Sequence, residues 1–230
     1  MLFAGDGEGV AEFANDLDWG LSNFWRVLGH SDCFEEFKRT IDAIPFSETE
    51  FEMAECSFTP LSSISVSHAV WFFVRNRQSR QGLGRDFATP TKRLRRGMNE
   101  NVSAWLSAVD GLPEVHARLR RVEVRNQPAV DFIRELDSPD TLFYCDPPYV
   151  HSTRVTTGEY LHEMTEDDHG LLLKALADIK GKFLLSGYQN HLYDCFASVN
   201  CWNRTDFEID NKASGKKVKE KKIECVWRNY

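Results

Sequence analysis

The sequence lacks the features that mark several protein classes. No apolar run approaches the roughly 18–20 residues that cross a bilayer, so no membrane partner is expected. The N-terminus has no basic stretch ahead of an apolar one, which argues against a secretory signal and predicts a cytoplasmic location. The six cysteines form no C-x-x-C pair, and no histidine stands at zinc-finger spacing. We therefore expect neither a disulfide scaffold nor a metal site.

An overall excess of positive charge is also missing, since the net charge is −7. The basic side chains are nevertheless concentrated in residues 75–96, which we call the basic segment. It carries eight of them and one acid, a net +7 that leaves −14 on the rest of the chain. The eight are Arg75, Arg77, Arg80, Arg85, Lys92, Arg93, Arg95 and Arg96. Taken alone, this pattern fits either a surface that binds a polyanion or an ordinary solvated face.

The composition is that of a folded protein. The 230 residues are 42% hydrophobic and 27% charged, enough for one α/β domain with a sizeable core or for two small domains. From residue 121 the hydrophobic pattern alternates between strand and helix. It predicts strands at 121–125, 141–145 and 183–186, helices at 129–136 and 165–179, and an antiparallel hairpin near 205–210 and 222–228. This alternation predicts an α/β fold with a doubly wound sheet.

The first 120 residues are predicted to be mainly helical after one short strand. That strand is predicted at 10–14, with helices at 21–28, near 31–43, near 47–55 and over 99–118, the last broken at Pro113. An apolar run, 70–74, leads directly into the basic segment. Because Gly82, Gly84, Pro90 and Gly97 interrupt the basic segment, we expect a loop there rather than a continuous helix.

The sharpest chemical signal is Asp146-Pro147-Pro148-Tyr149, directly after the apolar strand predicted at 141–145. Ligands of open α/β sheets bind beyond the carboxyl ends of the strands, so a substrate is expected at this tetrapeptide. Two consecutive prolines fix φ and supply carbonyls without N–H donors. A planar base with an exocyclic amino group needs such acceptors in its plane and a ring against its face. The alternative to a substrate-binding role is that these four residues form an ordinary surface turn.

With its flanks, the tetrapeptide resembles the D-P-P-Y signature of amino-methyltransferases that use S-adenosylmethionine. The wider chain resembles the D12 class of DNA N6-adenine methyltransferases, in which the cofactor motifs precede the recognition region and D-P-P-Y comes last. The supporting stretches are Asn15–Asp18 with Asn23-Phe24, Arg95–Met98, Val150-His151, Ser186–Tyr188 and Glu224–Trp227. The similarity extends from about Val10 to Trp227.

The resemblance implies a role for each part of the tetrapeptide. The target adenine is flipped out of double-stranded DNA, because its N6 atom cannot be reached inside the stack. Asp146 and the carbonyl of Pro147 accept the two N6 hydrogens, Pro148 stiffens the turn, and Tyr149 stacks on the flipped ring. The site contributes orientation and electrostatics, and no metal is needed.

Three residues are expected at the cofactor, S-adenosylmethionine. Asp16 follows the first predicted strand, where an acid binds ribose hydroxyls in nucleotide-binding sheets. The alternative for Asp16 is a cap on the next helix. Asn126 follows the strand at 121–125 and is the candidate for the adenine of the cofactor. Asp146 is the third residue expected to contact the cofactor.

The family's glycine loop, Phe-x-Gly-x-Gly after its first strand, is matched in letters by Phe3–Gly7. The context differs, because only two residues precede the match. The nine-residue interval from Gly7 to Asp16 is also too short for a helix plus a strand. We interpret the match as chance and expect the first strand and its loop to be missing from this chain.

The resemblance also predicts the domain organisation. Residues 1–29 and 121–230 form the catalytic domain, and residues 30–120 form an inserted, mainly helical target-recognition region. The basic segment lies inside that insertion, so we expect its eight basic residues at DNA, mostly at phosphates.

The expected function is site-specific adenine methylation in DNA, as part of a restriction-modification system, a phage or a mobile element, with a cognate restriction nuclease as a candidate partner. Two alternatives stay open. One is methylation of another exocyclic amine, cytosine N4 in DNA or guanine N2 in RNA. The other is a truncated DNA-binding remnant without activity.

Overall fold

A computed structural model of the chain describes residues 8–54, 63–153, 162–210 and 221–230. The chain divides into two compact units, Met1–Gln127 and Pro128–Tyr230, each with a hydrophobic core of its own. No helix within those ranges is both long and apolar enough to cross a membrane. The glycine-loop match at Phe3–Gly7 lies outside the described residues.

The first unit is mainly helical. Its elements in chain order are β1 (Glu12–Asn15), α1 (Trp19–Gly29), α2 (Ser31–Ala43), α3 (Glu48–Met53), α4 (Val66–Gln78), β2 (Leu94–Arg95), β3 (Met98–Asn99), α5 (Glu100–Asp110), α6 (Leu112–Leu119) and β4 (Val122–Arg125). The strand and the helices predicted from the hydrophobic pattern are confirmed, with Pro113 in the first turn of α6. Asp18, Ser65 and Asn99 each accept a backbone N–H in the first turn of α1, α4 and α5.

Aromatic side chains fill the core between these helices. The ring of Phe24 in α1 lies 5.8 Å, centroid to centroid, from both Phe37 of α2 and Phe73 of α4. Trp105 of α5 lies 5.4 Å from Phe73, and all four side chains are buried. The buried amide of Asn23 donates to and accepts from the backbone at the start of α4, at 2.9 Å each way. This pair of bonds satisfies a polar group inside an apolar core.

The basic segment is only partly a loop. The apolar run 70–74 continues as α4 through Gln78, so Arg75 and Arg77 are helical and the predicted loop is wrong for them. The helix continues because the side chain of Gln78, 0% exposed, bonds the backbone before α3 through both of its amide atoms. Further along, β2 and β3 form an antiparallel hairpin turned by Arg96-Gly97, both at positive φ as in a type I′ turn.

The strands β1 and β4 pair in parallel, with Asn15 opposite Arg125 at their carboxyl ends. Beyond the ladder, the Asn15 side chain donates to the Gln127 carbonyl at 2.9 Å and accepts its N–H at 3.1 Å. At the amino end, Glu12 and Arg118 form a salt bridge with both side chains largely buried. The carboxyl ends of the two strands are therefore held side by side.

The second unit is built on a four-stranded mixed sheet. Its elements are α7 (Ala129–Leu136), β5 (Leu142–Cys145), α8 (Glu166–Asp178), β6 (Lys182–Tyr188), α9 (His191–Val199), β7 (Asn203–Asp210) and β8 (Lys221–Arg228). The strand order is β5-β6-β8-β7, with β5 and β6 parallel and the other pairs antiparallel. The predicted hairpin is confirmed as β7–β8, and the predicted capping box at Thr165 opens α8.

The strand β5 is buried on one face only. Phe143 is 7% exposed, but Leu142 and Tyr144 are 51% and 48% exposed. Because alternate side chains of a strand point to opposite faces, these two share the exposed face. A near-continuous apolar strand such as 141–145 is typical of a parallel sheet buried on both faces, and the structure departs from that pattern at these two residues.

Gly181, just before β6, marks a close approach between chain segments. A Cβ atom there would lie 2.6 Å from the Thr141 carbonyl oxygen and 2.7 Å from that of Ser138. The Gly181 N–H donates to Asp137 Oδ1 at 3.0 Å, and its carbonyl accepts from Asn229 Nδ2 at 2.9 Å. The start of the β5–β6 pair thus depends on a residue without a side chain.

The chain is of mixed α/β class, as predicted. The described strands form three small sheets, β1–β4, β2–β3 and β5–β6–β8–β7. A continuous doubly wound sheet stays a prediction. So does the assignment of residues 1–29 and 121–230 to a catalytic domain and residues 30–120 to an insertion.

Candidate active site and nucleic-acid interface

The tetrapeptide Asp146–Tyr149 follows β5 directly, at the carboxyl end of the parallel β5–β6 pair. The strand ends there because two prolines supply no N–H to a ladder. The last three residues of the tetrapeptide are partly buried, and Val150 beyond them is buried. Among the described residues, none donates a hydrogen bond to the Pro147 carbonyl oxygen. That oxygen can therefore accept one from a ligand.

One oxygen of Asp146 is fixed by the neighbouring strand. The hydroxyl of Ser186 in β6 lies 2.7 Å from Asp146 Oδ1, to which it donates, and 3.2 Å from the Cys145 carbonyl oxygen. Ser186 is buried, whereas Asp146 is exposed. A hydrogen bond to a carboxylate is charge-assisted and therefore stronger than one between neutral groups. Within the described ranges no donor reaches Oδ2, so this second oxygen can accept from a ligand.

The ring of Tyr149 is fixed at two points. Its hydroxyl donates to Glu224 Oε1 of β8 at 2.6 Å. Its ring meets Tyr188 of β6 edge to face, with centroids 4.7 Å apart and planes at 80°. Burial and the hydrogen bond to Glu224 raise the pKa of Tyr149 well above its usual range. The phenol is therefore a neutral donor at physiological pH.

The thiol next to the tetrapeptide is neutral. Burial, and secondarily the charge of Asp146, raise the pKa of Cys145 to about 12. A protonated thiol is a poor nucleophile, so Cys145 offers no covalent chemistry here. The chemistry of this strand end belongs to the carboxylate, the carbonyl and the ring.

In the first unit, Asp16 and Asn126 follow the parallel strands β1 and β4 and lie together. Asn126 Nδ2 donates to the Asp16 backbone carbonyl at 2.7 Å. Asp16 Oδ1 accepts the N–H of Asp18 at 2.8 Å, and both predicted cofactor side chains are exposed. Asp18 caps α1, accepting from the Leu21 N–H at 3.2 Å. The interpretation of Asp16 as the helix cap is therefore wrong.

A small pocket opens at the same strand end, with a volume of about 90 Å³. Its lining residues are Ala14, Asn15, Asp16, Leu21, Ser22, Trp25 and Val124. A carboxylate beside an aromatic wall suits the hydroxyls and the ring of a nucleoside. The structure thus brings Asp16 and Asn126 together in the first unit, while Asp146 belongs to the second.

Seven of the eight side chains named in the basic segment are exposed, and Arg75 is the exception. The Arg75 guanidinium carbon lies 4.0 Å from the ring centroid of Phe51. Its terminal nitrogens donate to the carbonyls of Phe51 at 3.3 Å and Arg85 at 3.4 Å. These contacts connect α3 and α4 to the following loop. Arg75 therefore has a packing role inside the first unit.

Four exposed basic residues lie on or beside the β2–β3 hairpin: Lys92, Arg93, Arg95 and Arg96. Arg96 Nη1 donates to Ser107 Oγ of α5 at 2.9 Å, which holds the turn against that helix. Cations concentrated on an exposed, anchored hairpin form a surface that phosphate groups can contact.

A larger pocket of about 520 Å³ lies between α3 and the loop after α4. Its charged lining residues are Arg75, Arg85, Glu48, Glu52 and Asp86, with Phe51 and Phe87 as aromatic walls. Three acids against two arginines give this pocket no positive charge for a phosphate. Of these two surfaces, the hairpin is therefore the better candidate for a nucleic-acid interface.

Sequence reasoning did not assign roles to three residues that hold the tetrapeptide. Ser186, Tyr188 and Glu224 counted only as parts of resembling stretches, yet each contacts Asp146 or Tyr149. A local signal existed for Ser186, a hydroxyl that follows three apolar residues in a predicted strand. The role of Glu224 depends on strand pairing and has no local signal.

The model of the D12 class N6 adenine-specific DNA methyltransferase family matches residues 98–209. The matched region contains Asn126, the tetrapeptide and Ser186, whereas Asp16 and Glu224 lie outside it. No curated protein matches the chain.

Proposed function

We propose that Asp146–Tyr149 is where the chain, whose residues 98–209 match the D12 class N6 adenine-specific DNA methyltransferase family, methylates N6 of an adenine flipped out of double-stranded DNA. The observation that carries this proposal is the geometry of the tetrapeptide. A carboxylate oxygen and a carbonyl can both accept hydrogen bonds beside a fixed aromatic ring. An exocyclic amine on a planar base needs this combination.

The residues of the site act on the amine in three ways. Adenine N6 is a weak nucleophile, because its lone pair is delocalised into the ring. When Asp146 Oδ2 and the Pro147 carbonyl accept its two hydrogens, electron density is concentrated on the nitrogen. The Tyr149 ring orients the base by stacking, and the Asp146 carboxylate can take up the proton that the amine releases.

S-adenosylmethionine supplies an electrophilic methyl group when it is bound. We propose that Asp16 accepts hydrogen bonds from its ribose hydroxyls and that the Asn126 amide contacts its adenine. A contact from Asp146 to the cofactor stays a prediction from the sequence. The support is chemical fit, since the exposed Asp16 and Asn126 lie together beside a pocket walled by Trp25. Carboxylates at strand ends suit ribose hydroxyls in nucleotide-binding sheets.

We propose that the exposed basic side chains of the basic segment contact the DNA backbone. The β2–β3 hairpin supports this role, because Lys92, Arg93, Arg95 and Arg96 are exposed there. Phosphate contacts of this kind set the register of the protein on the duplex without reading its sequence. Arg75 contributes from inside the unit by packing on Phe51.

We propose the sheet topology and the domain organisation on the same basis. The parallel pairs β1–β4 and β5–β6 are strands of a doubly wound methyltransferase sheet, and residues 30–120 are its target-recognition insertion. Support comes from the polar residues that follow these strands, Asp16, Asn126 and Asp146. A cytoplasmic location and a cognate restriction nuclease stay predictions from the sequence.

The test is a product assay. The purified chain is incubated with labelled S-adenosylmethionine and unmethylated duplex DNA, and the methylated nucleoside is identified by mass spectrometry. We expect N6-methyladenine. Asp146→Ala should lower the rate by about 10²- to 10³-fold, because one of the two acceptors for the amine is lost.

The matched control is Asp140→Ala, which removes an exposed carboxylate from the same unit and should leave the rate unchanged. If N4-methylcytosine forms instead, the proposed mechanism stands, but the assignment of adenine as the substrate is wrong. Equal rates in the two variants would remove Asp146 from the mechanism. Absence of any product, with DNA still bound, would identify the chain as a DNA-binding remnant.

A further inference from the structure

Three side chains on one face of the second sheet converge on the tetrapeptide. Tyr188 of β6 and Glu224 of β8 are direct partners across the antiparallel β6–β8 pair, so they point to the same face. Ser186 lies two residues before Tyr188 on β6 and therefore shares that face. Strand pairing alone thus places a hydroxyl, a phenol and a carboxylate beside the end of β5.

Each of these side chains restrains a different group of the tetrapeptide. Ser186 holds Asp146 Oδ1 at 2.7 Å, and Glu224 holds the Tyr149 hydroxyl at 2.6 Å. The Tyr188 ring packs against the Tyr149 ring nearly at right angles. Tyr149 is only partly buried, so packing by itself leaves the ring room to move. The hydrogen bond to Glu224 removes that freedom.

We propose that Glu224 and Ser186 are positioning residues for methyl transfer, a role that rests on the function proposed above. Glu224 fixes the ring on which the flipped adenine stacks. Ser186 fixes one carboxylate oxygen, so that the other points to the amine. Neither residue needs to touch the substrate. Their effect is on the orientation of the bound base, and misplacement by about 1 Å can lower a rate by up to about 10²-fold.

The first test separates positioning from packing. Glu224→Ala should lower kcat about tenfold and leave the KM for S-adenosylmethionine unchanged, because only the orientation of the base is disturbed. Glu224→Gln keeps an acceptor at the same place and should restore most of the rate. Ile223→Ala is the control, since it shortens the neighbouring side chain, which is 47% exposed, and should have no effect.

The second test asks whether Glu224 acts through Tyr149. Tyr149→Phe keeps the ring and removes the hydroxyl, so it should lower kcat about as much as Glu224→Ala does. In the Tyr149→Phe background, Glu224→Ala should add nothing. Ser186→Ala should also lower kcat, because it leaves Asp146 Oδ1 without its donor. Additive losses for Glu224→Ala and Tyr149→Phe would overturn the proposal, as would a Glu224→Gln variant no better than Glu224→Ala.

A spectroscopic measurement keeps this inference separate from the proposed function. In protein carrying ¹³C-labelled tyrosine, the ring resonance of Tyr149 is assigned from its loss in Tyr149→Phe. Glu224→Ala should shift the Cζ resonance of that ring, because this carbon carries the hydroxyl that donates to Glu224, whereas Ile223→Ala should not. If the wild-type chain forms no N6-methyladenine, the proposed function fails, and the ring signal still decides whether Glu224 holds Tyr149. An unchanged ring signal in Glu224→Ala overturns the inference whatever the activity.

Discussion

In each unit, polar residues follow a pair of parallel strands. The first strand end, at Asp16 and Asn126, and the second strand end, at Asp146 and Tyr149, are held by different means. In the first unit, Asn126 donates to the backbone of Asp16, and the Asp16 carboxylate accepts a backbone N–H. In the second unit, the side chains of Ser186 and Glu224 hold the side chains of Asp146 and Tyr149 directly.

This difference matches the two tasks proposed for these strand ends. Backbone-anchored groups at Asp16 and Asn126 can bind a nucleoside, whose hydroxyls and ring tolerate small shifts. A group that orients a reacting atom must itself be held within a fraction of an ångström. Side-chain anchoring from two further strands supplies that restraint at Asp146 and Tyr149. The second strand end should therefore be more sensitive to changes in the fold around it.

The largest effect on the second strand end is expected from Gly181→Ala, which disturbs the β5–β6 pair. The new Cβ would lie within 2.7 Å of two backbone carbonyl oxygens, so the start of the β5–β6 pair must shift. We expect a loss of about 3 kcal/mol in the free energy of unfolding, measured in urea, because backbone atoms cannot move aside cheaply. Methyl transfer should fall with it.

Gly170→Ala is the control for this variant. No atom of the described part of the chain lies within 4 Å of the position its Cβ would take, and Gly170 is inside α8. Alanine there should stabilise the unit by about 0.5–1 kcal/mol through helix propensity. Equal unfolding free energies for the two variants would show that the close approach at Gly181 is unimportant.

The first strand end is probed by Asp16→Ala. We expect the KM for S-adenosylmethionine to rise about tenfold, equivalent to about 1.4 kcal/mol, with kcat nearly unchanged, because the residue binds and does not orient the reacting atoms. Asp110→Ala, an exposed acid in the same unit, should leave both constants unchanged. A fall in kcat with an unchanged KM would contradict the contrast between the two strand ends.

A smaller effect is expected at the start of α8, through Asp168→Asn. Hydrogen bonds from Thr165 lower the pKa of Asp168 in the folded state. Its contribution to stability is therefore present above the unfolded value of about 3.9 and is lost as the pH falls through the folded value. The variant should cost about 1 kcal/mol at neutral pH. That difference from wild type should vanish in acid.

Unfolding curves at several pH values measure this difference. Asp167→Asn is the control, because it removes a neighbouring charge from the same helical turn but leaves the capping box intact. Its cost should stay below that of Asp168→Asn at neutral pH. If the two variants behave alike, helix charge rather than the cap stabilises α8.

The smallest effect is expected at the β2–β3 hairpin. Replacing Lys92 by alanine should weaken DNA binding about threefold near physiological salt and lower the dependence of log affinity on log salt by about 1. Fluorescence anisotropy at a series of salt concentrations measures both quantities. Lys174→Ala removes the same charge from an exposed helix position outside the basic segment. An equal change in the control would make the effect one of net charge alone.

Local patterns predicted most elements of the fold. Hydrophobic periodicity indicated the helices of both units and the β7–β8 hairpin, and the tetrapeptide indicated the candidate site. The failures are at places where tertiary contacts decide. The helix α4 extends past the predicted boundary because buried Gln78 bonds a segment about thirty residues away. Likewise, Leu142 and Tyr144 are apolar side chains on an exposed strand face, which no one-dimensional pattern reveals.

The restraints on the site were the least predictable part. The partners Tyr149 and Glu224 are 75 residues apart in the sequence. They meet only because β8 pairs with β6 in a register that places Glu224 opposite Tyr188. Such a register is set by the whole sheet, so no local motif around Glu224 could assign its role.

The position of β8 also sets an order of events during protein synthesis. This strand follows both β6 and β7 in the sequence but lies between them in the sheet. At roughly 5–20 residues per second, a ribosome that has made Tyr149 takes about 4–15 s to reach its partner 75 residues later. During that interval the ring has no carboxylate to hold it. A nascent chain therefore acquires an ordered site only after β8 has been made and inserted into the sheet.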